Sequence, residues 1–232
     1  MVFYNYYMEA QDTSGLFLFK LWPWIETNKN RIFIGAGIIV AAAFIFSFVA
    51  WERGQKEIAA SAALTQLTVS VQPGTTASQL ADMYLGVASD HPGTLAAQRA
   101  QLQGAATLFA AGQFAGAQAQ FQKFLDAYPE SSFAASAALG VAASLDAQDK
   151  SDLAATAYQL VINTYSDPAN VMAAKFALAR IDEQHGKLNE ALNYYQDIAR
   201  IGANTSLAME AGIRTVEIKT KLASAKTSLV KP

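Results

Sequence analysis

Apolar residues follow two regimes along this chain. From Ile32 to Trp51 they run on without a charge, IFIGAGIIVAAAFIFSFVAW. Beyond about Ala96 they recur at helical spacing, in blocks closed by glycine or proline. The first regime is about 30 Å of helix, the thickness of a bilayer core. Lys29 and Arg31 precede it, and Glu52 and Arg53 follow it, so it is bounded like a membrane span and not like a buried core helix. It is longer than the apolar part of a cleaved signal, and Phe48 ahead of Val49 and Ala50 spoils a small-x-small cleavage site. The pattern predicts an uncleaved signal-anchor over residues 32–51.

Lys20, Lys29 and Arg31 lie before the span, whereas Arg53 and Lys56 after it are offset by Glu52 and Glu57. The positive-inside rule then predicts a cytoplasmic N-terminus, with residues 1–31 inside and 52–232 outside the inner membrane. Phe17, Leu18, Trp22 and Trp24 stand close before the span, where aromatic residues favour the headgroup zone. A short tail is the other reading of this segment. Glu9, Asp12 and Glu26 argue against an Arg-rich transit peptide, and Met8 competes with Met1 as the start.

The second regime is periodic. Ala117, Ala154 and Ala191 are 37 residues apart, and so are Phe121, Tyr158 and Tyr195. Ala105, Ala142 and Ala179 form another column; Tyr128 and Tyr165 form a fourth, with His91 one step earlier. A fixed period in this range predicts stacked helix–turn–helix units, a solenoid. The columns have mechanical meanings. Alanines at 105 and 117 let two antiparallel helices close up, and Ala117 and Phe121, four apart, share a helix face. Gly112 and Gly186 are placed to end a first helix in the left-handed conformation, with Asp149 taking that role between them. Pro129 stops a second helix because it has no N–H to donate.

These spacings resemble the tetratricopeptide repeat (TPR): Gly112, Phe114, Ala117, Phe121 and Pro129, then Gly186, Leu188, Ala191 and Tyr195. The resemblance implies an all-α chain, with one transmembrane helix followed by a right-handed superhelical solenoid. YPESSFAASAA is similar to the repeat junction of Tol-Pal-associated and BamD-like envelope proteins. The expected organisation is a 1–31 cytoplasmic or interfacial segment, the 32–51 span, and a 52–95 linker helix with a degenerate first repeat. Three repeats over 96–205 and a capping helix with tail over 206–232 follow. Arg214, Lys219 and Lys221 are expected to give that last helix the polar face a solenoid end needs.

Composition narrows the chemistry. Net charge is −2 and only 16% of residues are charged, so no basic stripe is available for nucleic acid. The absence of cysteine excludes disulfides, thiolate metal sites, a cysteine nucleophile and a lipoprotein anchor. His91 and His185, the two histidines, have no second ligand or carboxylate spaced to join them, and both sit where helices should end. There is no HExxH, P-loop or G-x-S-x-G sequence, and Gly35 and Gly37 lie inside the span. A non-enzyme without metal or cofactor is the expectation.

Function then falls to a surface. In a TPR superhelix the first helix of each unit lines the concave face, which here implies Arg99, Leu102 and Phe109, then Leu139 and Asp146, then Phe176, Arg180 and Glu183 as partner-binding residues. The family's carboxylate clamp would fall at Leu102, Ala106, Gly140, Ala173 and Ala177, none of which pairs with a carboxylate. The layout and the lead WPWIETNKNRIFIGAG resemble the YfgM-type ancillary subunits of the SecYEG translocon. That resemblance implies a periplasmic repeat domain working with the PpiD chaperone on emerging envelope proteins. Two alternatives stay open: an envelope assembly or division scaffold, and a structural subunit of a larger membrane complex.

Overall fold

A computed structural model describes residues 13–202 and 205–230, with side chains over 23–202 and 205–224. Met8, Glu9 and Asp12, and the side chains of Phe17, Leu18 and Trp22, lie outside the described residues. The described residues are helical, without strands: α1 (Thr13–Ser70), α2 (Ala77–Asp90), α3 (Leu95–Ala110), α4 (Phe114–Ala127), α5 (Ala134–Asp146), α6 (Ser151–Thr164), α7 (Pro168–Gln184), α8 (Leu188–Ile201) and α9 (Ser206–Val230). The chain divides into two compact units between Gln55 and Lys56.

In the first unit α1 carries the apolar run. Its mean hydropathy reaches 2.7 and none of that window is buried within the protein, so by length and composition it is a candidate membrane span. Ile34, Ile38, Val40, Phe44 and Phe48 are all exposed, as a lipid-facing helix requires.

The second unit is the all-helical repeat array expected from the period. Each predicted turn closes in the same way. The residues at Gly112, Asp149 and Gly186 have φ of 75°, 58° and 74°. The next N–H reaches back across the turn: Gln113 to the Leu108 carbonyl at 2.9 Å, Lys150 to Leu145 at 3.1 Å, and Lys187 to Asp182 at 2.8 Å. This is the C-terminal motif in which a left-handed residue lets the following amides satisfy orphan carbonyls. Asp149 adopts the conformation despite its Cβ, which aspartate tolerates better than most residues.

The alanine columns are the close approaches. Ala105 and Ala117 share one core cluster, Ala142 and Ala154 a second, and Ala179 and Ala191 a third, and all six are fully buried. The aromatic column Phe121, Tyr158 and Tyr195 is also buried, and each side chain contributes roughly 1.5–3 kcal/mol by burial. It reaches the next unit: a Cβ on Gly140 of α5 would stand 2.6 Å from the Phe121 ring, so only glycine fits beneath that face. A further fully buried column, Phe124, Val161 and Ile198, escaped the sequence reading although it has the same period.

Consecutive first helices touch one another, α3 with α5, α5 with α7 and α7 with α9. Among the described residues the backbones of α4 and α6, and of α6 and α8, do not approach in this way, although Tyr194 Oη of α8 donates to Gln159 Oε1 of α6 at 3.0 Å. Within this unit the first helices therefore form the inner row and the second helices the outer one.

Candidate protein-interaction surface

The inner row is tied together by polar contacts reaching about one repeat along the chain. Ser131 Oγ donates to Gln98 Oε1 at 2.6 Å, and Asn170 Nδ2 donates to Ser136 Oγ at 3.2 Å. Arg180 pairs with Asp146, and Lys221 Nζ with Glu183 Oε1 at 2.9 Å. At the front, both Glu57 carboxylate oxygens accept backbone N–H groups that open α3, from Leu95 at 2.7 Å and Ala96 at 2.9 Å. Thr94 accepts the third, from Ala97 at 3.0 Å, so this buried helix end has its first donors satisfied.

The eight residues assigned to the inner face divide by this geometry. Leu102 and Phe109 are half-buried against the Phe121–Phe124 core, and Phe109 packs edge to face on Phe114 at 5.2 Å. Leu139 packs against the Tyr158–Val161 core. Phe176 is half-buried edge to face on Tyr195, with centroids 5.3 Å apart. Asp146, Arg180 and Glu183 are engaged in the ties between repeats. Arg99 is exposed, its guanidinium 5.9 Å above the Phe133 ring. Exposed Ala106 lies on the same helix. The four apolar members are thus largely supports, and Arg99 with Ala106 presents the open surface of α3.

The sequence reading listed Asp146 and Arg180 but missed that they pair. A signal existed: opposite charges about one period apart on consecutive first helices. His91 and His185 are C-cap residues of α2 and α7. Among the described residues no group of three or more His, Cys, Asp or Glu side chains is arranged to hold a metal ion.

Asp182 is the exception in the core. It occupies the column of Leu108 and Leu145, and all three are 8% exposed. Burial pushes its carboxyl up, against the opposing pull of the Lys187 ammonium at 3.8 Å. A carboxyl with a raised folded pKa destabilises the fold as pH rises, because the unfolded chain loses its proton first, near about 3.9. Asp182→Leu is therefore expected to stabilise the repeat unit by about 1 kcal/mol at neutral pH, leaving a well-solvated lysine behind. Denaturant titrations at pH 4 and pH 7 check this: the gap between variant and wild type should be wider at pH 7.

Residues 23–127 match the family described as tetratricopeptide repeat-like domain. The matched stretch begins ahead of the apolar run and ends with α4, so it takes in the candidate span as well as the first repeats. TPR-like domains are generally protein-interaction modules. No curated protein matches the chain.

Proposed function

We propose that this protein is a membrane-anchored, non-catalytic interaction module of the bacterial cell envelope, an accessory of the Sec translocon and its periplasmic chaperones of the YfgM type. The observation that carries the reading is the single match over 23–127, which joins candidate span and repeats in one family pattern. The anchor then supplies proximity, since confinement to a membrane raises effective concentration at a partner. The open surface of α3 around Arg99 and Ala106 supplies selectivity. The excess of Lys and Arg before the span supports a cytoplasmic N-terminus and periplasmic repeats.

Crosslinking in intact bacterial membranes, followed by capture in mild detergent, tests the reading. SecYEG and a PpiD-like chaperone are the expected partners. Recovery of outer-membrane assembly machinery, or of a respiratory or transport complex, would replace it with a scaffold or structural-subunit role. The double variant Arg99→Glu, Ala106→Glu changes exposed side chains and is expected to reduce capture by roughly tenfold, about 1.4 kcal/mol of binding. Its melting temperature should stay unchanged. Undiminished capture would move recognition off α3.

A further inference from the structure

The repeat register does not begin at α3. Within the second unit α1 contributes residues 56–70, and these follow the period of 37. Ala60 precedes Ala97 and Ala134, and all three are buried. Half-buried Ala63 heads the column of Ala100, Ala137, Ala174 and Ala211, which are fully buried. Glu57 precedes Thr94 and Ser131, which stand just ahead of α3 and α5. The hydroxyls of those two accept N–H groups close by, Thr94 from Ala97 and Ser131 from Phe133. Glu57 reaches forward instead, to Leu95 and Ala96, 38 and 39 residues away, with one carboxylate oxygen on each N–H. A carboxylate at a helix N-terminus makes charge-assisted hydrogen bonds and meets the favourable end of the helix dipole. Arg99 lies one turn along α3 from Leu95, and Ala106 two turns further. Glu57 thus holds the end of the helix that carries the open surface.

We infer that Glu57 is a positioning residue for that surface. It latches residues 56–70, the first helix of a first repeat completed by α2, onto the start of α3, and so sets how α3 presents Arg99 and Ala106. The inference rests on the reading of α3 as the recognition helix. With the latch closed, the first turn of α3 is ordered before a partner arrives. With it open, that turn frays and the partner has to order it again, which lowers affinity.

The test uses the full chain, as Glu57→Ala and as the double variant Glu57→Ala, Leu95→Pro. Leu95 opens α3, where proline leaves no N–H to satisfy. Thr94 is already extended, at φ −86° and ψ 155°, as the residue before a proline must be. The second change mends the start of α3 without restoring the tie to Glu57. Amide exchange in detergent should quicken over residues 58–70 in both variants and stay at the wild-type rate in α7 and α8. Crosslinked capture of SecYEG and a PpiD-like chaperone in membranes should fall about fivefold in both. Wild-type exchange over 58–70 in Glu57→Ala overturns the latch. Capture restored by Leu95→Pro also overturns it, since Glu57 would then be a helix cap and nothing more. Undiminished capture by Glu57→Ala does the same where Arg99→Glu, Ala106→Glu loses it. If that surface variant also captures normally, the reading of α3 fails and takes this inference with it. A wild-type chain that captures a different partner overturns the translocon role alone, and the same comparison on that partner decides the latch.

Discussion

Tyr195→Ala is expected to cost about 3–5 kcal/mol and to loosen one end of the repeat unit while leaving the other folded. Tyr195 is 1% exposed and holds Phe176 edge to face. It shares its core with Ala179, Ala191, Ile198, Ala211 and Ile218, so a cavity there is lined by three successive helices, α7, α8 and α9. In a solenoid each unit contacts only its neighbours, and the loss is therefore local. Amide exchange should accelerate throughout α7–α9 and stay near wild type in α3 and α4. Uniform acceleration over all these helices would show a single cooperative block instead.

Ala154→Leu carries the next largest effect, about 1–3 kcal/mol. Ala154 and Ala142 are fully buried in one core, where α5 and α6 approach through small side chains. Three added carbons have nowhere to go, because Tyr158 and Val161 of the same helix already fill that side. For a unit of this size the loss corresponds to a melting temperature lower by about 2–4 °C for each kcal/mol. Ala155→Leu is the control: its neighbour is half-buried at the rim of the same core, and the drop should be smaller. Equal drops would mean that the alanine column is not the point of closest approach.

The repeat was legible because its chemistry is steric. The alanines at 105, 142 and 179 are fully buried between helices, and a left-handed turn selects glycine or its nearest substitute at 112, 149 and 186. Such requirements leave a residue type at a fixed spacing, and one sequence is enough to see them. The column of Phe124, Val161 and Ile198 was missed because burial alone asks only for bulk, which three different side chains satisfy. The interaction surface was less legible for a related reason. Position on a first helix says that a side chain faces the inner row, but not whether a neighbour covers it. Phe176 and Leu139 face inward and are still occupied by Tyr195 and the Tyr158 core. The exposure of Met209, Ile213 and Val216 on α9 is likewise invisible to periodicity, since these residues have the hydrophobic pattern of a covered helix.

The aromatic columns also divide the molecule optically. All three tryptophans, Trp22, Trp24 and Trp51, belong to the first unit, and the second has none. Indole fluorescence therefore reports the surroundings of the apolar helix and is blind to the repeats. The repeats report through phenol instead. Burial raises the hydroxyls of Tyr158 and Tyr195, the latter to about 12, so both stay protonated in alkali that ionises an exposed tyrosine. Quenchers delivered in lipid thus watch the first unit through its tryptophans, and the late-ionising phenols of Tyr158 and Tyr195 watch the second, without a label on either.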